Sequence, residues 1–186
     1  MKRYNLKGNK IYFDEFFYLD LNKESILEFN LKNRNELTLQ EYYLLVKRRA
    51  ESMGYFLLSK RDYSKKELFL KLLSKYREKN IIQEIVEKFQ NLGYLNDYDY
   101  AESYIKNHNY GKKKMEFMLL QKGIDTEIIK SVFKDSYETK ELEEIKKIWI
   151  KLGEKDSNKK ILSLMRKGFE YKDIKKALKE LEDDNY

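Results

Sequence analysis

Residues 64–86 read SKKELFLKLLSKYREKNIIQEIV, and residues 111–133 read GKKKMEFMLLQKGIDTEIIKSVF. Shifted by 47 positions, the two stretches align without a gap. Lys65-Lys66 meets Lys112-Lys113, Leu68 meets Met115, Leu72-Leu73 meets Leu119-Leu120, and Ile82 meets Ile129. A third copy, NKKILSLMRKGFEYKDIKKAL (158–178), follows 45–46 residues further on, with Lys159-Lys160 ahead of Ile161 and Met165. In all three the apolar residues recur at helical spacing. A period near 47 residues is the mark of a repeat array.

Working outward, each copy has a helix before it and one after it. The spacing predicts helices over 38–60, 64–77 and 80–92, then 97–108, 111–122 and 125–135, then 138–153, 157–168 and 171–182. TLQE (38–41) and SKKE (64–67) are capping boxes, in which a hydroxyl and a glutamate satisfy open amides reciprocally. Tyr42, Leu45, Val46, Met53, Phe56 and Leu57 are the inward residues expected of the first helix. Ahead of it, KIYFDEFFYLDL (10–21) is dense in aromatic and β-branched residues, which favour strand. Asp14-Glu15 can turn a hairpin there, and Ile26, Leu27 and Leu31 continue into a short helix or third strand. The expected fold is mainly α: an elongated array of three tandem three-helix repeats behind a small N-terminal β-hairpin region. Its divisions fall at 1–37, 38–95, 96–137 and 138–186.

The chain has no cysteine, so disulfides and thiolate chemistry are excluded. It has no proline, and no run of about 18 apolar residues that would span a bilayer. The opening MKRYNLKGNK lacks the apolar run of a secretory signal. The expectation is a cytoplasmic monomer with no membrane contact. No glycine-rich phosphate loop, zinc spacing or catalytic triad is present, so the chain reads as non-catalytic and without a cofactor. His108, the one histidine, reads as a surface residue or helix end; Asp97 and Asp99 read as helix-start acids; Trp149 reads as a core anchor.

Net charge is +7, a balance that suits an acidic partner. Residues 39–95 hold 12 basic and 7 acidic side chains, the largest local excess, whereas residues 96–138 hold 7 and 8. The lysines are also sorted by helix. The three middle helices begin with Lys65-Lys66, Lys112-Lys113-Lys114 and Lys159-Lys160, while the others open with acids such as Glu41, Asp97, Asp125, Glu141 and Asp173. A cation at a helix start is disfavoured, yet lysine beside open amides makes a ready anion site. Two readings stand: contact with an acidic partner, or solvated side chains whose stems cover apolar surface. Lys47-Arg48-Arg49 and Lys60-Arg61 divide in the same way between phosphate contact and a solvated face. Tyr94, Tyr98, Tyr100, Tyr104 and Tyr110 form an aromatic stretch that suits packing, or stacking on bases.

Four stretches resemble the RecX family of bacterial recombination regulators. They are LLSKRDYSKKELFLKLLSK (57–75), NLGYLNDYDYAESYIK (91–106), KKKMEFMLLQKGID (112–125) and RKGFEYKDIKKAL (166–178). The features that carry the likeness are Arg61-x-x-Ser64-x-x-Glu67-Leu68, Leu92-Gly93-Tyr94-Leu95-Asn96-Asp97, Lys122-Gly123-Ile124 and Lys167-Gly168-Phe169. Tyr76 departs from the pattern by standing where glycine is expected, and residues 1–37 match only loosely. The resemblance implies tandem three-helix repeats and a partner, the RecA recombinase or its filament on single-stranded DNA, whose activities are modulated, most often by inhibition. It carries Arg61, Lys65, Lys66, Lys112, Lys113, Lys159 and Lys160 as contact residues, and Lys47, Arg48, Arg49 and Lys114 join them as basic neighbours. The rival reading is a direct nucleic-acid-binding helical repeat protein, with single-stranded DNA as its ligand.

Overall fold

The computed structural model describes residues 1–183. Residues 184–186, the end of the expected 138–186 segment, and the side chains of residues 135, 136, 138 and 139 lie outside the described residues. The chain divides into two compact units, Met1–Asn96 and Asp97–Tyr186. Among the described residues no helix is long and apolar enough to cross a membrane.

In the first unit, β1 (Lys2–Arg3) pairs antiparallel with β5 (Glu36–Leu37), and β2 (Asn5–Lys7), β3 (Lys10–Tyr12) and β4 (Tyr18–Asp20) form an antiparallel meander. β3 and β4 are the arms of the expected hairpin, with Ile11 opposite Leu19. Asp14 sets its turn by accepting from the amides of Phe16 and Phe17 at 2.7 and 2.6 Å. β2 is an addition: NLK offers a single apolar residue, too little for a strand pattern. α1 (Lys23–Glu28) follows, capped by Asn22, with Ile26 buried and Leu27 exposed. Ile11, Phe17, Leu19 and Leu21 share one buried cluster with Leu45, Val46 and Phe89, so the β segment is docked on the helices that follow it.

Those helices are α2 (Leu39–Leu58), α3 (Lys65–Tyr76) and α4 (Lys79–Asn91), and both capping boxes form. The inward stripe of α2 runs through Tyr42, Leu45, Val46, Ala50, Gly54 and Leu57. Phe56, expected to face inward, is 55% exposed. The stripe passes through Gly54 instead because Phe89 presses on it: a Cβ at Gly54 would lie 2.3 Å from that ring. α3 runs on through Tyr76, which is buried and donates its hydroxyl hydrogen to the Arg49 carbonyl at 3.0 Å. The left-handed residue that closes α3 is then Arg77, at φ 62°. For a residue with a Cβ that conformation costs about 1–2 kcal/mol. Arg77 is held there by Asp14 at 3.1 Å and by the Phe17 ring at 5.2 Å, both from the hairpin.

The second unit contains α5 (Asp97–Asn107), α6 (Lys112–Gln121), α7 (Thr126–Ser136), α8 (Glu138–Lys151), α9 (Ser157–Arg166) and α10 (Tyr171–Asp183). Tyr100, Ala101, Ile105, Met115, Leu119, Ile129, Val132 and Phe133 form one buried cluster. Ile145, Leu164, Phe169, Ile174 and Ala177 form another. The backbone of Gly111 joins the two groups by donating to the Lys167 carbonyl at 2.9 Å.

The buried positions correct the sequence alignment. From α3 to α6 the offset of 47 holds, with Leu68 and Leu72 matched by Met115 and Leu119. From α6 to α9 the buried residues match at 45: Leu119 with Leu164, Ile124 with Phe169, Ile129 with Ile174. α9 starts earlier than its lysines suggest, because Asp156 caps it. Met165 is therefore exposed, while Lys160 takes the place of Met115 and is buried.

Gly111 has an ordinary φ of −69°, but a Cβ there would lie 2.2 Å from the backbone of Gly168 and Phe169. Backbone cannot swing aside as a side chain can. Gly111→Ala is expected to lower stability by about 1–3 kcal/mol or more, read from the urea midpoint of unfolding. A midpoint equal to the parent's would show that the two segments separate freely.

Candidate partner interface on the middle helices

α3, α6 and α9 together hold ten of the chain's 39 basic side chains and two of its 32 acidic ones. The remaining residues then hold 29 basic and 30 acidic side chains, so these three helices account for the whole positive surplus of the protein.

A lysine in the first turn of a helix opposes the macrodipole, at about 0.3–1 kcal/mol where exposed. Each start is offset by an oxygen of the protein. At α3, Ser64 Oγ accepts from the Glu67 amide at 3.1 Å, and Glu67 accepts from the Ser64 amide at 3.3 Å. At α6, Gly111 has no capping side chain, and the amide of Lys112 donates to Glu141 Oε1 at 3.0 Å. At α9, Asp156 accepts from the amide of Lys159 at 3.1 Å. Capping groups thus already take amides that the sequence offered as anion sites. In α9 the lysine pair stands at the third and fourth residues, not at the start.

Glu141 is 7% exposed, on the first turn of α8. Burial pushes its carboxyl above the ordinary carboxylate range; the Lys112 amide opposes the shift, and Asp173 and Glu170 add to it. A cleft of about 400 Å³ opens beside it, lined by four lysines (112, 113, 172 and 176) and four acids (Glu116, Glu141, Glu170 and Asp173). The matched charges leave that cleft no preference for an anion. Lys113 and Lys172 both reach Glu170, each at 3.4 Å, and hold its carboxyl below the usual range.

The sequence-derived contact residues separate by their surroundings. Lys47 pairs with Glu84 at 2.8 Å and Arg48 with Glu28 at 2.5 Å, both partly exposed; Arg49 is half-buried, its Nε without a hydrogen-bond partner. Arg61 lies 3.7 Å from the Tyr63 ring and 3.6 Å from Glu67, at the foot of α3. Lys66, Lys112, Lys113 and Lys159 are exposed, and Lys65 and Lys114 half-buried, the latter over the Tyr110 ring at 4.0 Å. Lys160 is 9% exposed and lies over Trp149 at 4.5 Å, which takes it out of any surface set. Sequence reasoning passed over Lys71, Lys75 and Arg166, which belong to the same helices. Counting charge over whole helices, rather than at their starts, finds them.

The aromatic stretch forms a ladder. Tyr100 stacks on Tyr104 at 6.2 Å, Tyr104 on His108 at 3.9 Å, and His108 on Tyr110 at 6.0 Å. His108 Nδ1 lies 2.8 Å from the Tyr104 carbonyl, at a helix end as expected.

No family model matches the chain. A regulatory protein RecX of Caldanaerobacter subterraneus subsp. tengcongensis is 33% identical over 93 residues, which is 46% of this chain and 46% of that protein. The chain thus matches about half the length of this curated relative. The crystal structure of RecX from Lactobacillus salivarius superposes with a TM-score of 0.64 at 27% identity, covering 74% of this chain and 97% of that one. A second crystal structure, of a regulatory protein RecX, gives 0.61 at 18% identity over 96% of this chain and 100% of that one, a likeness of fold alone. Sequence and fold together support a RecX-family protein.

The raised carboxyl of Glu141 has a testable sign. Its folded pKa lies above its unfolded value, so the unfolded chain ionises first. As pH rises from the ordinary carboxylate value through the folded one, Glu141 subtracts stability, and above that it subtracts no more. Glu141→Gln keeps an oxygen for the Lys112 amide and cannot ionise. Thermal midpoints across that pH range should fall less for the variant than for the parent; parallel curves would show that Glu141 is not the group responsible.

Proposed function

For a RecX-family protein with this distribution of charge, we propose a non-catalytic regulator of homologous recombination and DNA repair. It acts as a cytoplasmic monomer that binds the RecA recombinase, or its filament on single-stranded DNA, and inhibits its activities. The observation that carries the reading is the confinement of the whole positive surplus to three equivalent helices. A chain whose remainder is neutral concentrates its field where those helices are exposed, and such a field speeds docking to an acidic surface and favours it over others. The resemblance of these same helices to the family supplies the identity of the partner. In this reading, exposed Lys66, Lys112, Lys113 and Lys159 contribute to docking, whereas buried Lys160 serves the fold.

A second reading, direct binding of single-stranded nucleic acid, draws on the ring ladder. The ammonium groups of Lys114, Lys122 and Lys167 lie 4.0, 5.3 and 5.9 Å from its tyrosine rings. Aromatic rings interleaved with cations suit bases and phosphates.

Binding to single-stranded DNA, with and without pre-assembled RecA and a non-hydrolysable ATP analogue, separates the two across a salt series. The regulator is expected to bind the filament at least tenfold more tightly than bare DNA and to keep that margin at moderate salt. Equal affinities that fall together, with the slope set by phosphate contacts, would favour the second reading. Lys160→Met should leave filament binding unchanged, while Lys66→Ala with Lys113→Ala should weaken it several-fold.

A further inference from the structure

The outward faces of α3, α6 and α9 carry more than charge. Leu70, Phe117 and Leu162 stand at matching positions, two residues beyond the matched Leu68, Met115 and Lys160 that face inward, and they are 51%, 59% and 53% exposed. Two residues are about 200° around a helix, so no side chain there can reach its own core. Three residues on come half-buried Leu73, and then Leu120 and Met165 at 48% and 47% exposure. One turn before Leu70 and Phe117 stand Lys66 and Lys113, exposed on the same face. Each middle helix thus presents an apolar pair one turn apart, set among cations.

Single exposed apolar residues are ordinary on any protein. Recurrence at the same place in three helices, where burial sets the alignment independently, is not scatter. Three equal patches suit three equal receptors, which a partner built from identical subunits offers. The cations that flank them, in helices with ten basic and two acidic residues, require acids at the rim of each receptor. They also oppose a second copy of this chain, which would set lysine against lysine.

We infer that Leu70-Leu73, Phe117-Leu120 and Leu162-Met165 are three equivalent apolar anchors, each of which enters an acid-rimmed recess repeated along a homopolymeric partner. The inference rests on the filament reading above and deepens it: the lysines steer the approach, and the apolar pairs hold the complex. Interface energy is commonly concentrated in a few buried apolar or aromatic anchors, while charges at the rim act mainly on the rate of association.

The test uses the full chain, labelled with a fluorophore and titrated onto RecA pre-assembled on single-stranded DNA with a non-hydrolysable ATP analogue, at low and moderate salt. Leu70→Ser, Phe117→Ser and Leu162→Ser combined should weaken binding at least tenfold with an unchanged salt slope. The apolar replacement set Leu70→Met, Phe117→Leu and Leu162→Met should keep binding near the parent's. Circular dichroism and thermal melting establish that each variant is folded; Phe117→Ser alone, expected to lose severalfold, serves if the triple variant is not. Folded serine variants that bind within twofold of a binding parent overturn the anchors and leave the regulator reading standing. A parent that does not bind the filament overturns the regulator reading, and the anchors with it. Light scattering that shows a dimer of the parent, abolished by the serine set, would assign the patches to self-association and overturn the inference.

Discussion

At the start of α6 three lysines follow a glycine that has no side chain to cap the helix, and the carboxylate that completes the turn is borrowed from Glu141 of α8. The bond binds two segments of the second unit and gives the macrodipole the negative group it favours at that end. It also costs something, since Glu141 is buried beside Asp173 and Glu170. α3 and α9 solve the same problem locally, with Ser64 and Glu67, and with Asp156. At α6 the capping carboxylate comes from another helix. The lysine-rich surface of the middle helices depends on these caps, because helices so charged at their beginnings need the counterweight.

A second constraint is the close approach of Gly111 to Gly168, where the start of α6 meets the end of α9. Lys114 lies against the same glycine, so a Cβ at Gly168 would fall 2.4 Å from the Lys114 Cβ. Stem packing therefore fixes Lys114, whose ammonium rests on Tyr110. The lysines begin to divide here by job. Lys114 and Lys160 have their stems or heads spent on the fold, whereas Lys66, Lys112, Lys113 and Lys159 stand exposed. Pairs such as Lys47 with Glu84 and Arg48 with Glu28 are partly exposed. Water screens such pairs, so they resist exchange for another carboxylate only weakly.

Much of the chain could be read before any coordinates. The capping boxes at Thr38 and Ser64 and the hairpin turned by Asp14 rest on local chemistry, hydroxyls and carboxylates bonding amides two or three residues away, and they stand where expected. Among the described residues, the nine helices after residue 38 begin and end within two residues or so of their expected limits, because i, i+4 periodicity and glycine stops are also local. The misreadings share one cause. Phe56 is expected inside and Lys160 outside on pattern alone, and each is decided by a side chain of another helix: Phe89 pressing on Gly54, and Trp149 of α8, over whose ring Lys160 lies.

The same division runs through the candidate interface. A count along the chain showed that cations gather in three equivalent helices, since charge and helix spacing are properties of residue order. It could not show which cations are spent internally, nor that Asp156 caps α9 and leaves Lys159 and Lys160 at its third and fourth residues. Nor could it show that Leu70, Phe117 and Leu162 each stand on the outward side of their own helix. Those depend on which side of each helix the core takes, and a helix alone is free to turn any side inward. Burial removes that freedom: once Leu68, Leu72, Met115, Leu119 and Leu164 leave water, the positions of all other side chains on α3, α6 and α9 follow from the 3.6-residue turn.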